Sequence, residues 1–96
     1  MMQVYTGPPT ITTQPATQLS TTGMSITLTC EGTGRGLLMY NWEERKQGSR
    51  WGIVSGNSNT TLTITNIQKS SRFRCTVSNE AGSTTSHTAI ITILGT

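Results

Sequence analysis

The chain has 96 residues, of which 32% are apolar, 5% aromatic and 11% charged, with a formal net charge of +3. A chain of this length forms one domain that buries little more than ~60% of the surface its unfolded form exposes, so its core is marginal. The seven cations never run beyond two in a row and stand apart from any set of stacking aromatics, which gives nucleic-acid binding no support.

Residues 1–7 start Met1-Met2 and carry neither a charged region nor an apolar run, so they are read as an expression start and lead-in, not a signal peptide. The domain proper is expected over 8–94, excised from a longer protein. No stretch approaches the ~20 apolar residues of a membrane span, so membrane contact would come only through missing parts of the parent chain.

Pro8 and Pro9 forbid helix and favour extended geometry. Residues 11–15 read as a short edge strand ended by Pro15. Gly23 marks a turn, after which Met24, Ile26, Leu28 and Cys30 alternate with Ser25, Thr27 and Thr29, the pattern of a half-buried strand. Three glycines within 32–36 predict a loop. Leu38, Tyr40 and Trp42 share one face of the next strand, and Met39, Asn41 and Glu43 the other.

A polar turn at 45–49, a short strand at 51–54 and a turn at 56–59 follow. Leu62, Ile64 and Ile67 form the next apolar set, and 68–71 a corner. Phe73, Cys75 and Val77 alternate with Arg72, Arg74 and Thr76. Residues 79–82 turn into a last strand, about 83–94, whose Ala89, Ile91 and Ile93 point one way. Strands that recur every 8–12 residues, with turn residues between them and no helical periodicity, predict an all-β sandwich.

Cys30 and Cys75, the only cysteines, are 45 positions apart. They fit one structural bridge made in an oxidising compartment, or alternatively two buried free thiols. A bridge closing so long a loop contributes about 4 kcal/mol in the chain-entropy picture. Serine and threonine supply 30 of 96 residues and aspartate none, a surface like that of secreted β proteins.

Catalysis lacks its groups. Glu43 and Glu44 are neighbours on a strand and point to opposite faces, so they form no acid–base pair. The single histidine, His87, lies among serines and threonines. One histidine, two distant cysteines and no aspartate make neither a zinc nor a calcium site, and the Gly32/Gly34/Gly36 run lacks the following helix of a phosphate loop. The chain is therefore read as a non-enzyme with no cofactor. Asn59-Thr60-Thr61 is its one N-glycosylation sequon.

Four segments together resemble the immunoglobulin superfamily, and within it the I-set type. They are Gly23-x-x-Ile26-Thr-Leu28-Thr-Cys30, Trp42, Leu62-x-Ile64-x-x-Ile67 and Phe73-x-Cys75-Thr-Val77-Ser-Asn79-Glu-Ala-Gly82. The resemblance implies an immunoglobulin-like β-sandwich of two antiparallel sheets with Greek-key connections. It also implies an inter-sheet Cys30–Cys75 disulfide with Trp42 packed on it as the core pin, and a kink at Pro15 between two pieces of the first strand. Two positions depart from the family. Phe73 stands where a tyrosine usually bonds back onto the corner, and Lys69 where an aspartate is usual, so the corner at 68–72 is expected to be looser.

In this fold the strands of Trp42 and Cys75 are neighbours and share an outward face with the last strand. Met39, Asn41, Glu43, Arg72, Arg74 and Thr76 fall there as a possible partner face, with Thr88, Ile90 and Thr92 beside them, and Arg74 is expected to pair with Glu43. Trp51 reads as a residue packed at the rim. Two roles follow from the resemblance. One is a protein-recognition module, homophilic or heterophilic, in the ectodomain of a cell-surface receptor or adhesion protein. The other is a structural spacer in a tandem array, either extracellular or in a muscle-type cytoskeletal protein.

Overall fold

Alternating apolar and polar residues become short extended strands in the computed structural model, which describes residues 7–54 and 59–94. The start at residues 1–6, most of the turn at 56–59 and residues 95–96 lie outside the described residues. The strands are β1 (Thr10–Thr13), β2 (Gln18–Thr21), β3 (Ile26–Thr29), β4 (Glu31–Thr33), β5 (Met39–Lys46), β6 (Gly52–Ile53), β7 (Thr61–Ile64), β8 (Ser71–Asn79), β9 (Gly82–Thr85) and β10 (Ala89–Leu94).

They make two layers. In one, β1 pairs with β4 and β3 with β7. These two ladders belong together because β3 and β4 are consecutive, separated only by Cys30, whose N–H donates to the Thr60 carbonyl at 2.7 Å. The other layer runs β2–β10–β8–β5–β6, with β9 also on β8. Pro15, buried and unable to donate, marks where the chain leaves the first layer and joins the second. There β2 runs parallel to β10, while the other pairs are antiparallel. The sandwich is all-β and immunoglobulin-like, and the kink at Pro15 is where the resemblance put it.

The inward faces meet in a core of Ile26, Leu28, Cys30, Trp42, Leu62, Ile67, Phe73, Cys75, Val77, Ala89 and Ile91. Every second residue of β8 is buried from Ser71 to Val77, and Trp42 is wholly enclosed. Burying side chains as large as Trp42, Phe73 and Leu28 contributes about 1.5–3 kcal/mol each, the main favourable term in so small a domain.

Four expectations change. The run at 32–36 is not wholly loop, because Glu31–Thr33 is β4. Gly32 is there for close approach. A Cβ on it would lie 3.1 Å from the Thr10 carbonyl and 3.2 Å from Val77. Met24 does not join its strand's apolar face but stands 55% exposed, in the turn before β3. The last strand is two strands. Thr76 faces Thr85 and Phe73 faces Ala89, so one extra residue is accommodated between β9 and β10, a bulge.

Finally, the corner before β8 is tied despite Phe73 and Lys69. The Gly23 N–H donates to the Ile67 carbonyl at 2.7 Å and the Ile67 N–H to the Met24 carbonyl at 3.0 Å. Gln68 Nε2 donates to Asn66 Oδ1 at 2.8 Å, and Asn66 takes the left-handed conformation (φ 51°) that asparagine tolerates. These bonds fix residues 66–68, where the chain enters the corner.

Candidate functional site

The pin is built by backbone as much as by side chains. Trp42 and Cys75 are directly opposite in the β5–β8 ladder. The Trp42 indole N–H donates to the Asn59 carbonyl at 2.8 Å, which ties β5 to the approach to β7. Cys75 is held on its other side by the bulge. Its N–H donates to Ser86 Oγ at 2.9 Å and its carbonyl accepts from the Ser86 N–H at 2.7 Å. Ser86 thus supplies by side chain the acceptor that the bulge takes from the ladder.

Cys30 and Cys75 are two fully buried, unbridged thiols in contact across the core. That contact pulls Cys30 below the usual thiol range, and the same contact together with burial pushes Cys75 far above it. Both are sealed from solvent and Cys75 is held protonated, so neither is open to act as a nucleophile.

The opposite faces of β5 and β8 present a different set of residues. Register places Met39 opposite Ser78, Asn41 opposite Thr76, Glu43 opposite Arg74 and Arg45 opposite Arg72. The six residues read from the sequence therefore share one outward face. At its centre, Arg74 Nε donates to Glu43 Oε1 at 2.8 Å, and its guanidinium lies 4.0 Å over the Trp51 ring. Ile53 is opposite Glu43 in the β5–β6 ladder and 78% exposed. Met39 and Ile90 are also exposed apolar residues of this face, and Thr76 Oγ1 lies 3.2 Å from Thr85 Oγ1.

The trio of Trp51, Arg74 and Glu43 holds a long cationic side chain in one orientation. Its stability value is modest. Water reaches both members of the ion pair, which limits the pair to about 1 kcal/mol, and the stacking adds about 0.5–1 kcal/mol.

Trp51 is half-buried at the rim and engaged with Arg74. Asn59 of the sequon is exposed. His87 is exposed and its backbone N–H donates to Gln14 Oε1 at 2.9 Å. Glu43 and Glu44 face opposite sides, Glu44 standing across from Phe73.

Residues that sequence reasoning passed over are those whose role is to satisfy backbone. They include Ser86 in the bulge; Asn79 was read as the start of a turn, and its Oδ1 accepts from the Ala81 and Gly82 N–H groups while its Nδ2 donates to the Gly7 and Arg35 carbonyls. An asparagine followed three residues later by glycine signals the second. A serine among serines and threonines gives no such signal.

The immunoglobulin domain family model matches residues 8–79. Among solved structures, the tandem Ig repeats of Dlar superpose with a TM-score of 0.75 at 20% identity, over 95% of this chain and 50% of that one. The N-terminal Ig1-2 module of the Drosophila receptor protein tyrosine phosphatase DLAR gives 0.75 at 20% identity, over 97% and 49%. A chimeric titin Z1Z2 gives 0.70 at 22% identity, over 93% and 96%. At these identities the likeness is one of fold, and the chain spans about half the length of the Dlar structures. No curated protein matches the sequence.

Proposed function

The chain belongs to the immunoglobulin domain family, and on that premise we propose that it is a non-catalytic protein-recognition module of the I-set type. It docks through the outward face of β8, β5 and β6, as part of the ectodomain of a cell-surface receptor or adhesion protein. The observation that carries this reading is Arg74, held between Glu43 and Trp51 with the exposed Ile53 beside it. An oriented arginine with an aromatic and flanking apolar side chains is what interface centres are made of. At the centre of the face Arg74 stands beside Glu43, so a copy related by a two-fold axis through that point sets each against its opposite charge. A second copy of this chain is therefore the first partner to test.

In that setting Cys30 and Cys75 form the inter-sheet disulfide and Asn59 is a glycan acceptor, its side chain exposed before β7. Alkylating the denatured, unreduced native protein tests the first point. Absence of label means a bridge, and two labels mean thiols and an intracellular setting.

A second reading, the spacer, has its own observation. The Gly7 carbonyl sits on Asn79 at the end of β8, whereas Leu94 lies beyond Ile91, which faces Ser71 at the start of β8. The chain thus enters and leaves at opposite ends of the sandwich, as a link in an array does. Sedimentation velocity over a concentration series separates the two readings. A dimer that Arg74→Glu abolishes supports recognition, and an inert monomer at every concentration supports the spacer.

A further inference from the structure

The end of the sandwich where β5 turns toward β6 holds the chain's least compensated charge. Arg45 and Arg72 stand directly opposite in the β5–β8 ladder, and like charges so placed cost a sheet stability. Glu43, two positions from Arg45, is already engaged by Arg74 at 2.8 Å. Lys46 follows Arg45, and Lys69 lies in the corner before β8. All four side chains are exposed, and among the described residues none has a carboxylate within ion-pair distance.

These cations line two clefts that meet at Lys46, Gln47 and Ser70, with Arg45 and Arg72 on the outward side and Lys46 on the other. A cleft of about 360 Å³ is lined by Arg45, Lys46 and Arg72 together with Ser70, the buried Ser71 and the apolar Ile90 and Ile91. A second, of about 600 Å³, shares Lys46 and Ser70 with the first and continues past Lys69 and Gln68. No glutamate and no aromatic residue lines either cleft.

We propose that this groove binds a sulfated polysaccharide chain. Arginine forks match sulfate oxygens through paired hydrogen bonds, and lysines add point charge. The exposed Gln47 amide, which lines both clefts, and the Ser70 hydroxyl, which keeps its hydrogen while accepting from the Ile93 N–H, suit sugar hydroxyls. Two joined clefts suit an extended ligand with repeating anions better than a single ion. The absence of aromatics removes the stacking platform that single-stranded nucleic acid uses. A bound polyanion also relieves the Arg45–Arg72 repulsion, so the ligand offsets a cost already present in the fold. The groove adjoins the docking face proposed above and shares Arg45, Arg72 and Ile90 with its edge.

The test uses heparin as the probe and isothermal titration calorimetry on the whole chain. Binding is expected to weaken steeply with salt, as counterion release requires. The R45Q/K46Q/K69Q variant is expected to lose at least about tenfold in affinity, whereas R35Q, in the loop between β4 and β5, is expected to keep it. K69Q alone, at an exposed corner position, gives a smaller loss of the same sign and serves if the triple variant does not fold. Sedimentation of K69Q, in the corner off the docking face, reads that face separately, since it leaves Arg45, Glu43 and Arg74 in place. Equal affinity in the triple variant and the wild type overturns the proposal. So does binding of desulfated heparin, polyglutamate or a single-stranded oligonucleotide as tightly as heparin, because the groove would then be a general anion sink.

Discussion

The two faces of β5 and β8 are written in the same residues of sequence and do opposite work. Inward, Trp42, Phe73, Cys75 and Val77 are sealed from water and packed against the other layer. Outward, Glu43, Arg74, Asn41 and Thr76 are wet, and their contacts are individually weak. Burial makes the inner face expensive to alter, so it fixes the fold. The outer face is cheap to alter, so its chemistry is free to be about a partner. That division is what a strand with period two allows, and it is why one scaffold carries many recognition surfaces.

The sharpest break in the comparison comes from within. Trp42→Ala should cost about 3–5 kcal/mol, a large share of the 5–15 kcal/mol typical of a whole domain. Urea melts followed by circular dichroism should show the midpoint collapse or no folded baseline at all. A loss under 1 kcal/mol would mean that the pin does not organise the core.

Ser86→Ala tests whether the bulge is part of the pin. It leaves the buried Cys75 N–H without its acceptor and should cost about 1–3 kcal/mol, read as a lower midpoint at unchanged slope. Gly32→Ala probes the approach of β4 to Val77 and Thr10. Mild overpacking there should cost about 1 kcal/mol, the low end of such insertions, again by urea melt. Arg74→Glu, on the outer face, should move stability by less than about 1 kcal/mol. The same substitution should remove self-association in sedimentation. If its effect on stability rivals that of Ser86→Ala, the trio is structural and the contrast between the faces fails.

Most of the inner face was legible from the chain, because burial on alternate residues leaves a period that sequence records. Ile26, Leu28, Trp42, Phe73, Cys75 and Val77 all lie where parity placed them. The misses share a cause. Gly32 looked like a loop residue because glycine signals both turns and close approach, and only the position of Val77 decides between them. The β9–β10 bulge adds one residue to a run of serines and threonines, where no apolar phase exists to reveal the shift. The outer face was legible as a set, including the Arg74–Glu43 pair. The Trp51 stacking was not, since it depends on how the β5–β6 hairpin closes. The facing of Arg45 and Arg72 likewise needs the register between two strands that are 27 positions apart in the chain.

The most direct test of recognition through the outer face is a charge exchange, followed by sedimentation velocity. Wild type, E43R, R74E and the E43R/R74E double variant are run over the same concentration series. A two-fold contact through this face predicts that wild type self-associates, that each single variant is monomeric, and that the double variant associates again. Four proteins with indistinguishable sedimentation would contradict it and leave Arg74 and Glu43 as an ordinary surface ion pair.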